Sequence, residues 1–230
     1  RKFLLAEVLE RPSFAEGHLF CDALRESEKS MNDEVAAYRR ESQEYREYIE
    51  TWVHEIKTPI SSSRLILENN PGEVSFSLGE EIDRIEDFVE QALFYSRSES
   101  LEKDYLIRKT TLHQLVGSAL KKHAGLLIGA KTAVRAEGLD RTVFTDMKWT
   151  DFILGQLIAN SVKYRSGPLK ISFAGKDRGD SSELTVADNG IGIPEQDLPR
   201  VFDKGFTGEN GRRGAKSTGM GLYLCKKLCC

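Results

Sequence analysis

Met31, Val35, Tyr38, Ser42, Tyr45, Ile49, Trp52, Ile56, Pro59, Ser63 and Ile66 follow one another at alternating spacings of four and three. This is a heptad seam: it lays one stripe along a single long helix and asks for a partner helix to cover it. Only Ser42, Ser63 and Pro59 interrupt its apolar character. The pattern predicts a helix from about Glu26 to the break at Asn69-Asn70-Pro71-Gly72. Ahead of it, residues 1–20 are mixed, with Pro12 and Gly17 as punctuation. A second amphipathic run, Ser77–Ser98, sets Leu78, Ile82, Ile85, Val89 and Ala92 on one face. Two helices joined by a short turn form a hairpin. A lone hairpin buries too little surface, so the expectation is a dimeric four-helix bundle over residues 26–100 or so.

After Leu101 the period changes. Strand-like runs (Asp104–Ile107, Ala133–Ala136, Thr142–Thr145, Leu169–Phe173, Leu184–Ala187) alternate with helical ones (Leu112–Ala124, Lys148–Lys163, Glu195–Phe202). That pattern predicts an α/β sandwich, and an α+β protein overall. The charge changes too. Residues 1–101 carry 12 basic and 22 acidic side chains, net −10; residues 102–230 carry 21 and 14, net +7. Halves of opposite sign argue for two domains, the basic one suited to an anionic ligand. Scattered lysines with no nucleic-acid-binding motif argue against nucleic acid as that ligand.

Cys21, Cys225, Cys229 and Cys230 show neither zinc spacing nor a disulfide framework. A reduced compartment is expected. No apolar run approaches the roughly 18–20 residues that cross a bilayer, and no signal peptide opens the chain. The chain begins on Arg1, which suggests a piece of something longer.

His54, in the stretch ETWVHEIKTPI, falls off the seam, among Glu50, Thr51, Lys57 and Thr58. A solvated surface histidine is one reading. A metal ligand is disfavoured, because no second His or Cys stands at ligand spacing. A nucleophile is the other reading: Glu55 can polarise the imidazole or take its proton. Pro59 removes a backbone donor just beyond and loosens the helix there. His18, His113 and His123 lack such company and are read as structural.

The basic half holds further chemistry. In QLIANSVKY (156–164), Gln156, Asn160 and Lys163 share a helix face. Asn offers a neutral oxygen to Mg²⁺ and lysine a point charge to phosphate. In ADNGIGI (187–193), Asp188 can accept from an exocyclic amine, while Gly190 and Gly192 allow close backbone approach. A tight turn is the plain alternative. FDKGFTG (202–208) leads into ENGRRGAKSTGMGL (209–222), a Gly- and Arg-rich loop whose Gly219 and Gly221 open a helix, a usable phosphate cradle. Neither a P-loop nor a G-x-G-x-x-G fingerprint is present.

In this order, these pieces resemble the bacterial sensor histidine kinases of two-component systems. HEIKTP resembles their H-box, QLIANSVKY the N-box, DNGIGI the G1 box, FDKGF the F-box and TGMGL the G2 box, over about residues 30–228. WVHEIKTPI, VEQALFYSR, EKDYLI and DMKWTDFILGQLIANSVKY narrow it to the small intramembrane-sensing kinases of the peptide-antibiotic (bacitracin) type.

The resemblance implies a membrane-proximal linker over 1–25, a dimerisation and phosphotransfer domain over 26–101, and an ATP-binding domain of the histidine kinase/chaperone ATPase type over 102–230. His54 would be the phosphoacceptor, Glu55 its base or orienting partner, and Thr58 the orienter of a water that dephosphorylates the regulator. Asn160 would hold Mg²⁺. Lys163, Tyr164, Asp188, Gly190, Gly192, Phe202, Arg212, Lys216, Thr218, Gly219, Gly221 and Leu222 would contact ATP, with Arg213 a further phosphate candidate. The implied partners are a second copy, the receiver domain of a response regulator and a peptide-antibiotic ABC transporter. The implied place is the cytoplasmic portion of a bacterial inner-membrane protein, responding to envelope or peptide-antibiotic stress. Gln156 stands where the family usually has Asn, and where related ATPases carry a base glutamate; an amide cannot take that proton. Further sheet strands follow the G2 helix in the family, so their absence after LCKKLCC is expected to weaken the domain. Two alternatives are an ATP-driven switch that transfers nothing, and a regulator-binding phosphatase or adaptor.

Overall fold

The computed structural model describes residues 12–98, 106–209 and 218–229. The chain divides into two compact units, 1–86 and 87–230. Among the described residues no helix is long and apolar enough to cross a membrane.

The first unit is a helical hairpin. Helix α1 spans Ala15–Asn69. It starts some ten residues before the expected Glu26, because the good helix formers of AEGHLFCDALR continue the coil and Asp22 pairs with Arg25 one turn on. It ends where expected: Asn70 donates its side-chain N–H to the Ile66 carbonyl at 2.8 Å and its backbone N–H to Leu67. Helix α2 follows at Glu73–Arg97. Arg64 on α1 binds both Asp83 and Glu86 on α2 and closes the hairpin. The buried stripe of α1 is Arg46, Val53 and Ile60, seven residues apart. It lies one position on from the heptad seam, whose Met31, Tyr38, Tyr45 and Trp52 stay exposed. The seam's Ile49 and Ile56 flank this stripe and are half-buried, so the single chain covers one edge of the seam and leaves the other exposed.

The second unit comprises the last turns of α2 and an α/β sandwich. Strand β1 (Ile107–Thr111) pairs antiparallel with β3 (Thr142–Asp146). Strand β4 (Lys170–Asp177) is the centre of a three-stranded sheet, parallel to β2 (Ala133–Glu137) and antiparallel to β5 (Ser182–Asp188). Half of the expected strand at Asp104–Ile107 lies outside the described residues; β1 begins at Ile107. The expected helix 112–124 splits at His123 into α3 (Leu112–Lys122) and α4 (Ala124–Gly129). Thr111 and Gln114 form a reciprocal capping box at the start of α3. Helix α5 runs over Met147–Lys163, capped by Asp146, whose carboxylate accepts from Lys148 and Trp149. Helix α6 is Gly221–Cys229. Glu195–Phe202 is no helix: only a 3₁₀ turn forms, at Leu198–Arg200. Pro199 lacks the N–H for an α-helical bond and disfavours helical backbone at Leu198.

Two apolar clusters hold this unit. In the larger, Leu115, Val116 and Ala119 of α3 and Leu154 and Ile158 of α5 pack on Ile171 and Phe173, the inward residues of β4. In the second, Trp149 and Phe152 of α5 meet Leu224 and Leu228 of α6, with Phe94 and Tyr95 from the end of α2. The Phe94 and Phe152 rings lie 4.0 Å apart. Phe94→Ala is therefore expected to destabilise this unit by about 2–3 kcal/mol, less than a fully buried Phe because Phe94 is half-buried. A urea melt of the variant that matches the parent would show that the end of α2 contributes nothing to the core.

His123 lies against Gly155, whose added Cβ would sit 2.6 Å from the imidazole Nε2. Burial, and after it the Lys122 ammonium, hold this imidazole below its ordinary pKa of 6.5, against the pull of Asp151 and Glu90. The unfolded chain therefore takes the proton more readily. Stability present at neutral pH is expected to fall as pH drops through about 6.5, and to level off below the folded-state value. Urea melts at pH 7.5 and 5.5 should show a smaller loss on acidification for His123→Gln than for the parent; equal losses would exclude His123 as the cause.

Candidate functional site

The site is built around the C-terminal end of α5. Tyr164 caps the helix, its N–H bonded to the Asn160 carbonyl at 2.9 Å. Its own carbonyl accepts the Ile191 N–H at 3.0 Å, which straps the 188–193 loop onto the helix end. Asp188 is the last residue of β5. Its Oδ1 accepts the Gly190 N–H at 2.8 Å, and its Oδ2 lies 2.9 Å from the hydroxyl of buried Ser161. That hydroxyl also lies 3.0 Å from the Leu157 carbonyl, so its one proton serves two acceptors. The carboxylate is thus aimed from two sides and still has lone pairs for an incoming donor. Asn189 locks the loop from behind: its side chain accepts from Lys170 N–H and donates to the Pro168 carbonyl.

Gly190 cannot be replaced without movement. A Cβ there would lie 2.7 Å from the Tyr164 carbonyl oxygen and 2.8 Å from Asp188 Oδ1. Gly192 follows on the exposed side of the turn. On α5, the half-buried Asn160 side chain enters no hydrogen bond among the described residues. Its neutral amide oxygen suits a hard cation. Lys163 is exposed, with its ammonium 5.6 Å from the centre of the Tyr164 ring.

The second glycine stretch comes to the same helix. Gly219 has φ +65°, and a Cβ on it would overlap the backbone of Gly205 and Phe206; its carbonyl accepts the Gly205 N–H at 3.1 Å. Gly221 opens α6 so close to Gln156 that a Cβ would strike the Gln156 amide oxygen. Gln156 therefore touches the loop, as an amide and not as a base. Thr218 Oγ1 accepts the Met220 N–H at 3.3 Å, and Leu222 is half-buried on α6. Phe202 is exposed, with the Lys226 ammonium 5.8 Å from its ring centre. Arg212, Arg213 and Lys216 lie outside the described residues. An open polar cleft lined by Gly138, Asp140, Arg141, Thr142, Asp177, Gly179 and Ser182 shares no residue with this set.

His54, Glu55 and Thr58 all stand exposed on α1, in the first unit. Thr58 is one turn beyond His54, and its hydroxyl makes a long 3.4 Å bond to the His54 carbonyl. Pro59 lies within the helix, so the Glu55 carbonyl loses its helical donor there. Cys225 is buried, and burial pushes its thiol up to about 12, which makes it inert as a nucleophile.

Sequence reasoning missed Ser161 and the end of α2. Ser161 follows Asn160 directly, and a hydroxyl at a helix position three residues from the capping Tyr164 was the available signal. The VEQALFYSR stretch carries the family likeness, and nothing in its own pattern marks its contact with the glycine loops.

Residues 145–230 match the family described as histidine kinase-, DNA gyrase B-, and HSP90-like ATPase. Sensor histidine kinase YxdK of Bacillus subtilis (strain 168) is 37% identical over 186 residues, or 79% of this chain and 56% of that protein. Sensor protein BceS of the same strain is 33% identical over 194 residues, or 84% of this chain and 58% of that protein. The chain thus spans a little over half the length of these relatives. Histidine kinase AdeS of Acinetobacter baumannii superposes on 76% of this chain and 85% of its own, with TM-score 0.52 and 23% identity, a likeness of fold. With an ATPase-family domain after a helical hairpin, the chain belongs to the bacterial sensor histidine kinases.

Proposed function

We propose that this chain phosphorylates its own His54 from ATP and passes the phosphoryl group to an aspartate of a response regulator's receiver domain. The observation that carries the reading is Asp188: a carboxylate fixed by Ser161 and the Gly190 N–H, beside Asn160 and Tyr164 at the end of α5. Such an acceptor, with small residues around it, reads an exocyclic amine such as that of adenine. The chain's homologues among sensor kinases support the same reading.

The residues divide the work. Asp188, Gly190 and Gly192 take the base. Lys163, Tyr164, Phe202, Thr218, Gly219, Gly221 and Leu222 line the nucleotide, with Arg212 and Lys216 as further phosphate contacts. Asn160 would hold Mg²⁺, which would supply neutralisation of phosphate charge. Phosphoryl transfer is mostly positioning and charge neutralisation, which such a set supplies. An unprotonated ring nitrogen of His54 attacks the γ-phosphorus, the bond to the β,γ-bridging oxygen breaks and ADP leaves. Glu55 stabilises the N–H on the other ring nitrogen and takes its proton. Exposure of His54 suits an acceptor that must meet both ATP and a separate regulator. Gln156 cannot activate water, so ATP is kept for the histidine. Thr58, one turn from His54, orients the water that dephosphorylates the regulator.

The exposed edge of the α1 seam supports a homodimer, since Met31, Tyr38, Tyr45 and Trp52 remain exposed in one chain. The reading extends to a membrane-anchored whole protein that responds to peptide-antibiotic stress beside an ABC transporter.

Asp188→Asn is expected to weaken Mg-ATP binding by about 10- to 100-fold, the range for a hydrogen bond to a charged group. Because the new amide can donate to the O6 carbonyl of guanine, which the carboxylate cannot, the loss should be larger for ATP than for GTP. Calorimetric titration showing parent-like ATP affinity in the variant would remove Asp188 from the nucleotide site.

A further inference from the structure

Both ends of the glycine-rich stretch rest on one face of α2. Thr218 Oγ1 donates to Gln91 Oε1 at 2.9 Å. One turn along, the Lys204 ammonium donates to the Tyr95 hydroxyl at 2.7 Å and lies 4.6 Å from the centre of that ring. Gln91 and Tyr95 are four residues apart on a helix and so point the same way. Between the two ends, the Gly205–Gly219 backbone bond closes the loop on itself. The end of α2 is held independently, by the Phe94–Phe152 contact, by Lys122 bound to Glu90 at 3.2 Å, and by Lys227 over the Tyr95 ring. Lys204 and Thr218 therefore sit on a fixed helix face.

Thr218 is the point of competition. A hydroxyl has one proton. Here that proton goes to Gln91, and the oxygen takes the Met220 N–H. Met220 precedes the first residue of α6, so this N–H is among the donors that a helix start turns toward an anion. With Gln91 in place, Thr218 has no proton for a phosphate oxygen. We propose that Gln91 is a positioning residue that competes with nucleotide for Thr218: a phosphate bound at Thr218 and the Gln91–Thr218 bond exclude one another. The end of α2 then sets nucleotide affinity, and nucleotide in turn loosens the hold of α2 on the loop, as linkage requires. This inference rests on the nucleotide reading given above.

The test is a fluorescence titration of the 230-residue chain with trinitrophenyl-ATP and Mg²⁺. Gln91→Ala should bind about three- to tenfold more tightly, the worth of one neutral hydrogen bond. Gln91→Met, of similar length but without the acceptor, should do the same and covers the case in which alanine disturbs packing. In a Thr218→Val background, weaker overall, Gln91→Ala should change affinity by less than about twofold, because the two residues act through one bond. A merely structural role for Gln91 would not depend on the Thr218 hydroxyl. Unchanged or weaker binding in both Gln91 variants, or equal tightening with and without that hydroxyl, overturns the proposal. A parent chain that binds no nucleotide is a distinct outcome, which overturns the nucleotide reading and this inference with it.

Discussion

Where α5 ends, the Tyr164 carbonyl takes the Ile191 N–H, and the Ser161 hydroxyl meets Asp188 one strand away. These two bonds tie the turn after β5 to a helix whose other face is buried in the core through Leu154 and Ile158. The candidate site inherits its rigidity from that helix. Gln156, Asn160, Lys163 and Tyr164 are spaced by the helix itself, while Asp188 and Gly190 are brought to them by the strap. At the near end of the same helix, Trp149 and Phe152 anchor α6 and with it Gly221. One element therefore positions both glycine loops.

The opposed charges of the two halves fit this division of labour. The basic half carries the loops suited to phosphate; the acidic half carries the exposed histidine. A mobile partner of opposite sign is attracted over distances of about a Debye length, roughly 8–10 Å at physiological salt, so the asymmetry acts on encounter and not on the fold. The amide at Gln156 completes the picture from the side of chemistry. It lies against Gly221, and as an amide it offers no base to a water.

The long helix was legible because a seven-residue period repeated five times, from Met31 to Ile66, leaves little choice of structure. Strands β2 to β5 were legible from their short apolar runs, and the glycine motifs from their order. The start of α1 was not: a heptad count begins at the first seam residue, and Ala, Glu and Leu ahead of it extend a helix without marking one. Glu195–Phe202 has helical composition, yet Pro199 outweighs it. The docking of Phe94 and Tyr95 in the second apolar cluster was also hidden, because an amphipathic pattern names a buried face and not its partner. Ser161 escaped for a related reason: its value lies in a bond to a residue 27 positions away. The heptad seam itself reads as the buried face, and yet Val53 and Ile60, one position on, are what a single chain covers.

The central claim is that the basic unit's nucleotide delivers its γ-phosphoryl group to His54. The most direct measurement is incubation with Mg²⁺ and γ-labelled ATP, for the parent and for His54→Gln, followed by acid and alkali treatment of the labelled protein. The account predicts label on the parent that is lost in acid, kept in alkali and absent from the variant. Label that survives acid, or that persists in His54→Gln, would contradict it.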